Sequence, residues 1–129
     1  MSDNASSNYP DIRKRTFEFA VRIVKLCQHL NEKPGVSRIL SSQLLRAGTS
    51  IGANVEESQA GQSRPDFISK YSIALKEARE THYWLRLLIA TEVVPEARLA
   101  ELLNEIDELT RIIGAIVVST KRTTRDGEI

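Results

Sequence analysis

The chain has 129 residues and a mass of 14.5 kDa, the size of one domain with one core. It is 41% hydrophobic, and 18 Lys and Arg against 17 Asp and Glu leave a formal net charge of +1, so no global charge advertises nucleic acid or an anionic membrane as a partner. A single cysteine, Cys27, excludes an intramolecular disulfide scaffold, and no apolar run approaches the ~18–20 residues of a membrane span.

Residues 1–10 are polar, end in Tyr9-Pro10 and read as a flexible leader. They lack the basic and apolar regions of a signal peptide, so the expected location is cytoplasmic. Residues 11–122 carry sparse punctuation: Pro34-Gly35, then Gly61 to Pro65, then Glu92 to Pro95. The breaks leave four long segments without strand-like alternation, which makes the class all-α. Residues 123–129 read as a short tail.

In the first segment Phe17, Ala20, Val21, Val24 and Cys27 fall on one helical face, with Ile23 and Leu30 beside it. Leu40, Leu44, Ala47, Ile51, Val55 and Ser58 line the second. Phe67, Tyr71, Ala74, Ala78, Leu85 and Ile89 line the third, which Ser63, Pro65 and Asp66 open as cap and first turn. Leu99, Leu102, Leu103, Ile106, Leu109, Ile113, Ile116 and Val117 line the fourth, opened by Pro95-Glu96. Short connections between long helices force neighbours to run antiparallel, so the expected fold is an up-down-up-down four-helix bundle.

Two helices carry more apolar surface than one core stripe needs. On the first, an arc from Leu26 and Phe19 round to Phe17 and Val21 covers over half the circumference. On the third, Ile73, Glu77, Glu80, Trp84 and Leu87 form a second stripe beside the core face. Surplus of this kind marks interfaces, so Phe19, Leu26, Ile73, Trp84 and Leu87 are expected to meet another copy in a homo-oligomer. Cover by the leader or the loops is the alternative.

Helix 2 carries a polar stripe, Ile39, Gln43, Arg46, Ser50, Ala53 and Glu57, with Asn54 closer to the core. Such groups are costly to bury unless bonded or paired, and Glu80 is a candidate partner for Arg46. The stripe is therefore either a polar network at a helix or subunit seam, or a solvated face.

Sites for chemistry are missing from the pattern. A di-metal bundle needs Glu-x-x-His, but Leu26 and Arg79 stand three residues before His29 and His82. One cysteine and two separated histidines give no zinc spacing, and Cys27 and His29, two apart, do not face each other. No phosphate-binding glycine motif and no GxSxG is present. No catalytic, cofactor-binding or metal-ligating residue is nominated, and the expectation is a protein without enzymatic activity; an enzymatic or metal-binding bundle is the disfavoured alternative. The charge is unevenly spread, however. Arg13, Lys14, Arg15, Arg22 and Lys25 crowd helix 1, and Lys121, Arg122 and Arg125 lie at the far end of the chain. They are either a patch for RNA or DNA phosphates, or a solvated face balanced by Glu101, Glu105, Asp107 and Glu108 of helix 4.

The run Gln43-Leu-Leu-Arg-Ala-Gly-Thr-Ser-Ile-Gly-Ala-Asn-Val-Glu-Glu-Ser, followed by Arg64, resembles the four-helix-bundle family of 23S rRNA intervening-sequence proteins. The family pattern is close to Q-L-x-R-A-x-x-S-I-x-x-N-I-A-E-G with a later Arg, matched here by Gln43, Arg46, Ala47, Ser50, Ile51, Asn54, Glu57 and Arg64. The run from Ile73 to Leu85 looks like its third helix, with Glu80 at the acidic position. Glu56 and Ser58 depart from the pattern, standing where Ala and Gly are usual. The resemblance implies a small bacterial cytosolic bundle, commonly a homopentameric ring, without an established activity. It also points to Arg46, Ser50, Asn54, Glu57, Arg64 and Glu80 as a structural polar network.

Overall fold

The computed structural model describes residues 11–60 and 63–127, and four helices hold nearly all of them: α1 (Ile12–Leu30), α2 (Val36–Gln59), α3 (Arg64–Ala90) and α4 (Glu96–Gly127). No strand occurs among the described residues. The leader read at residues 1–10 lies outside them.

Three of the four starts have a local cause. The Asp11 side chain accepts from the Lys14 amide and Ser63 from the Asp66 amide, so two otherwise orphaned N–H groups are bonded. Pro65 occupies the first turn of α3, where its missing N–H costs nothing. α2 starts from Gly35, whose φ of 90° suits the abrupt turn after Pro34. α4 runs on to Gly127, through most of the segment expected as a tail, because no Gly or Pro interrupts the ladder between Thr123 and Asp126.

Successive helices pack antiparallel, α1 on α2, α2 on α3 and α3 on α4, while α1 and α4 touch least. The core is continuous through all four, with Phe19, Ile23, Leu44, Ile51, Tyr71, Leu85, Leu99, Ile106 and Ile113 fully buried. The stripes expected on α2, α3 and α4 face it, with Leu40, Phe67, Ile89 and Leu103 at its margin.

The face expected for α1 is corrected. Its buried residues are Ile12, Thr16, Phe19, Ile23, Cys27 and Leu30, whereas Phe17 is 63% exposed and Val21 and Val24 are each 37% exposed. Apolar residues surround so much of α1 that periodicity cannot choose its inward direction; the surface of α2 does. A Cβ on Gly48 would lie 2.9 Å from Cγ2 of Ile23, and one on Gly52 would lie 3.2 Å from the Thr16 carbonyl oxygen. The two missing side chains form a shallow trough into which the Ile23 and Thr16 edge of α1 settles, turning Phe17 outward. Phe19, expected at an interface, is thereby 1% exposed and belongs to the core.

Candidate functional site

The seam between α2 and α3 is where the family-like residues collect. Arg46 is the hub: Nη1 donates to Glu77 Oε1 at 3.3 Å and Nη2 to Glu80 Oε2 and, at 3.5 Å, to Gln43 Oε1. Trp84 Nε1 donates to the same Glu80 oxygen at 3.0 Å. Glu77 and Glu80 are one turn apart on α3 and so converge on a single guanidinium. Glu77 retains only 12% side-chain exposure, so Arg46 neutralises a carboxylate that is costly to leave unpaired there.

The other expected members of this network separate from the hub. Ser50 donates to the Arg46 carbonyl at 2.6 Å and Asn54 to the Ser50 carbonyl at 2.8 Å, so both bond back to their own helix. Glu57 pairs at 2.8 Å with Lys70, a partner the pattern of the sequence did not single out. That hydrogen bond holds the Glu57 carboxyl below its usual range and the Lys70 ammonium above its own. Arg64 is exposed at the start of α3 and makes no ion pair among the described residues. The two departures from the family pattern are both engaged: Glu56 pairs with Arg13, and buried Ser58 donates to the Val55 carbonyl.

The crowded cations of α1 are largely spent within the chain. Arg15 forks onto Glu105 at 2.8 and 3.1 Å and reaches Glu108 at 2.6 Å, which raises its already high pKa. Arg13 meets Glu56 and Arg22 meets Glu101, each at 3.3 Å. Lys14 and Lys25 alone of the five make no side-chain ion pair among the described residues. The balance by acidic α4 is thus the arrangement found, and it draws α1 and α4 together where their packing is thinnest.

Cys27 and His82 are each engaged within the bundle. Cys27 is buried and donates to the Ser41 carbonyl, and burial pushes its thiol up, away from the reactive thiolate. His82 Nε2 lies 3.2 Å from Asp107, bridging α3 and α4. Among the described residues no three His, Cys, Asp or Glu side chains gather as a metal site, and no helix is long and apolar enough to cross a membrane.

Of the surface apolar residues expected at an interface, Ile73 is 38% exposed, whereas Leu26, Trp84 and Leu87 are half-buried, Leu26 and Trp84 against the core. Two unlike apolar faces flank α2 instead. On one side the Ile23–Gly48 and Cys27–Ser41 contacts set an antiparallel register that brings Leu45 level with Val24, beside Phe17 and Val21. On the other, the Arg46–Glu80 register brings Ile39 level with Trp84 and Leu87, and Val36 and Ile39 are 67% and 65% exposed. Ile39 also edges a hollow with Gly35, Arg38, Ser42 and Gln43. Phe17, Val36 and Ile39 could have been found only by knowing which way α1 and α2 face.

A family model described as 23S rRNA-intervening sequence protein matches residues 10–115. The fold is similar to a crystal structure of a protein of unknown function from the S23 ribosomal protein family of Bacteroides thetaiotaomicron VPI-5482. That protein is 44% identical, with a TM-score of 0.76 over 82% of this chain and 97% of the other. No curated protein matches the chain.

Proposed function

We propose, for a chain that belongs to the 23S rRNA-intervening sequence protein family, that it works without catalysis as a self-assembling bundle whose copies close into a ring. The pair of unlike apolar faces on either side of α2 carries this reading. Self-association through one patch gives a two-fold dimer, whereas a closed ring of more than two copies needs two different patches that meet head to tail. Phe17, Val21, Val24 and Leu45 supply one, and Val36, Ile39 and Trp84 the other. Arg46 serves the second face indirectly: through Glu80 it fixes the Trp84 indole at that seam. The homopentamer implied by the family resemblance fits this geometry, and the same resemblance implies a cytoplasmic setting. The three α1 arginines engaged by acids of α2 and α4 speak against helix 1 as a nucleic-acid patch.

Light scattering on the purified chain tests the assembly. The expected particle is near five times 14.5 kDa, and Phe17→Asp with Leu45→Asp yields a folded species near one times that mass. A wild-type monomer, or an assembly indifferent to both Phe17→Asp and Ile39→Asp, would sink the reading.

A further inference from the structure

With Arg13, Arg15 and Arg22 of α1 held in ion pairs, most of the unpaired positive charge among the described residues lies on other helices. Lys76, Arg79, Tyr83 and Arg86 follow one another at spacings of three, four and three on α3, which places them in one stripe along the helix. Lys76, Arg79 and Arg86 are exposed and make no ion pair among the described residues, and the Tyr83 ring between them is 50% exposed. Arg111 of α4, one turn on from the Asp107 that His82 meets, is exposed and equally unpaired. The neighbouring carboxylates are committed: Glu77 and Glu80 to Arg46 of α2, and Asp107 to His82.

We propose that this outward stripe of α3, with Arg111 beside it, binds the phosphate backbone of single-stranded nucleic acid, with Tyr83 as a platform on which a base stacks. The span from Lys76 to Arg86 is about 15 Å at the helical rise of ~1.5 Å per residue, room for several consecutive phosphates. Tyr83 is preset for the task. It meets Trp84 edge to face at 5.2 Å and 74°, and Trp84 is tied to Glu80 and through it to Arg46. An exposed aromatic ring between cations favours unpaired bases, since a duplex hides its base faces. A lipid surface is less well matched, because the strongly exposed apolar residues Phe17 and Ile39 lie on other faces. The proposal does not depend on the ring: the stripe is complete within one chain, and it meets the second apolar face only where Tyr83 touches Trp84.

Fluorescence anisotropy with a labelled twenty-residue oligouridine tests it. Four phosphate contacts at a slope of about −0.7 each predict that raising salt from about 50 to about 200 mM weakens binding about fiftyfold. R79Q/R86Q should halve that slope, to about −1.4. K14Q/K25Q removes the same charge from α1 and should leave binding and slope unchanged. Y83A should weaken binding at least about fivefold, and Y83F should restore it. If Y83A melts early, Y83L keeps an apolar edge for Trp84 and serves in its place. The proposal is overturned by no binding at the lower salt, by equal losses in the two double variants, or by indifference to Y83A. Capture by phosphatidylglycerol vesicles without capture of the oligouridine also overturns it.

Discussion

Replacing Gly48 by Ala separates a local from a tertiary effect at one atom. In an isolated helix the change would stabilise by about 0.8–1 kcal/mol, because glycine gives up more chain entropy than alanine. In the bundle the new methyl would sit 2.9 and 3.0 Å from the Cγ2 and Cγ1 atoms of Ile23, a β-branched side chain with no exposed surface. Overpacking of a closed core costs about 1–3 kcal/mol, so the expected net effect is a loss of about 1 kcal/mol. Ile23→Ala by itself should cost about 2–5 kcal/mol by leaving a cavity. In the double variant the added methyl enters that cavity, so its loss should be smaller than the sum of the singles by at least about 1 kcal/mol. Urea unfolding followed by circular dichroism at one fixed protein concentration reads all four corners of the cycle, the concentration being held because assembly adds to apparent stability. A Gly48→Ala protein more stable than wild type, or a strictly additive cycle, would refute the idea that the missing side chain sets the approach of α1 to α2.

Three further outcomes follow from the ion pairs. Arg46→Met should cost about 1–3 kcal/mol, since it strands Glu77 and Glu80 together, and Glu80→Gln in the same chain should recover part of the loss; thermal melts followed by Trp84 fluorescence read both, and no recovery would count against Arg46 as the hub. The lowered Glu57 pKa means that its contribution to stability is present above the ordinary glutamate range and fades as pH falls through the folded value, while that of Lys70 is present at neutral pH and fades as alkali passes its raised value. A carboxyl-carbon NMR titration should show the Glu57 midpoint rising to the ordinary range in Lys70→Met, and an unmoved midpoint would exclude the pair in solution. Arg15→Gln should cost about 1–2 kcal/mol and speed amide exchange in α1 more than in α3, because its fork onto Glu105 and Glu108 joins the two helices that pack least; uniform exchange rates would argue otherwise.

The α2–α3 seam was legible only where a charge had one plausible answer. Arg46 faces Glu80 as its place on the wheel suggests, but Glu77 as second acceptor and the Trp84 indole on the same oxygen required coordinates. Ser50 and Asn54 lie on the expected stripe, yet they turn to carbonyls of their own helix, which are always within reach of short polar side chains. The free cations of α3 went unnoticed because a count of basic residues favours the denser run on α1. Which cations stay free depends on where the acids of α2 and α4 end up.

Sequence by itself determined the class, the four helices, the positions of the breaks and the inward stripes of α2, α3 and α4, because each of those helices has one arc rich in large apolar residues and periodicity is a local property. It could not orient α1, whose arc is too wide to have a single middle. That decision belongs to the trough over Gly48 and Gly52, a feature of another helix, and it settles together that Phe19 is core, that Phe17 is surface and that Arg15 turns toward α4.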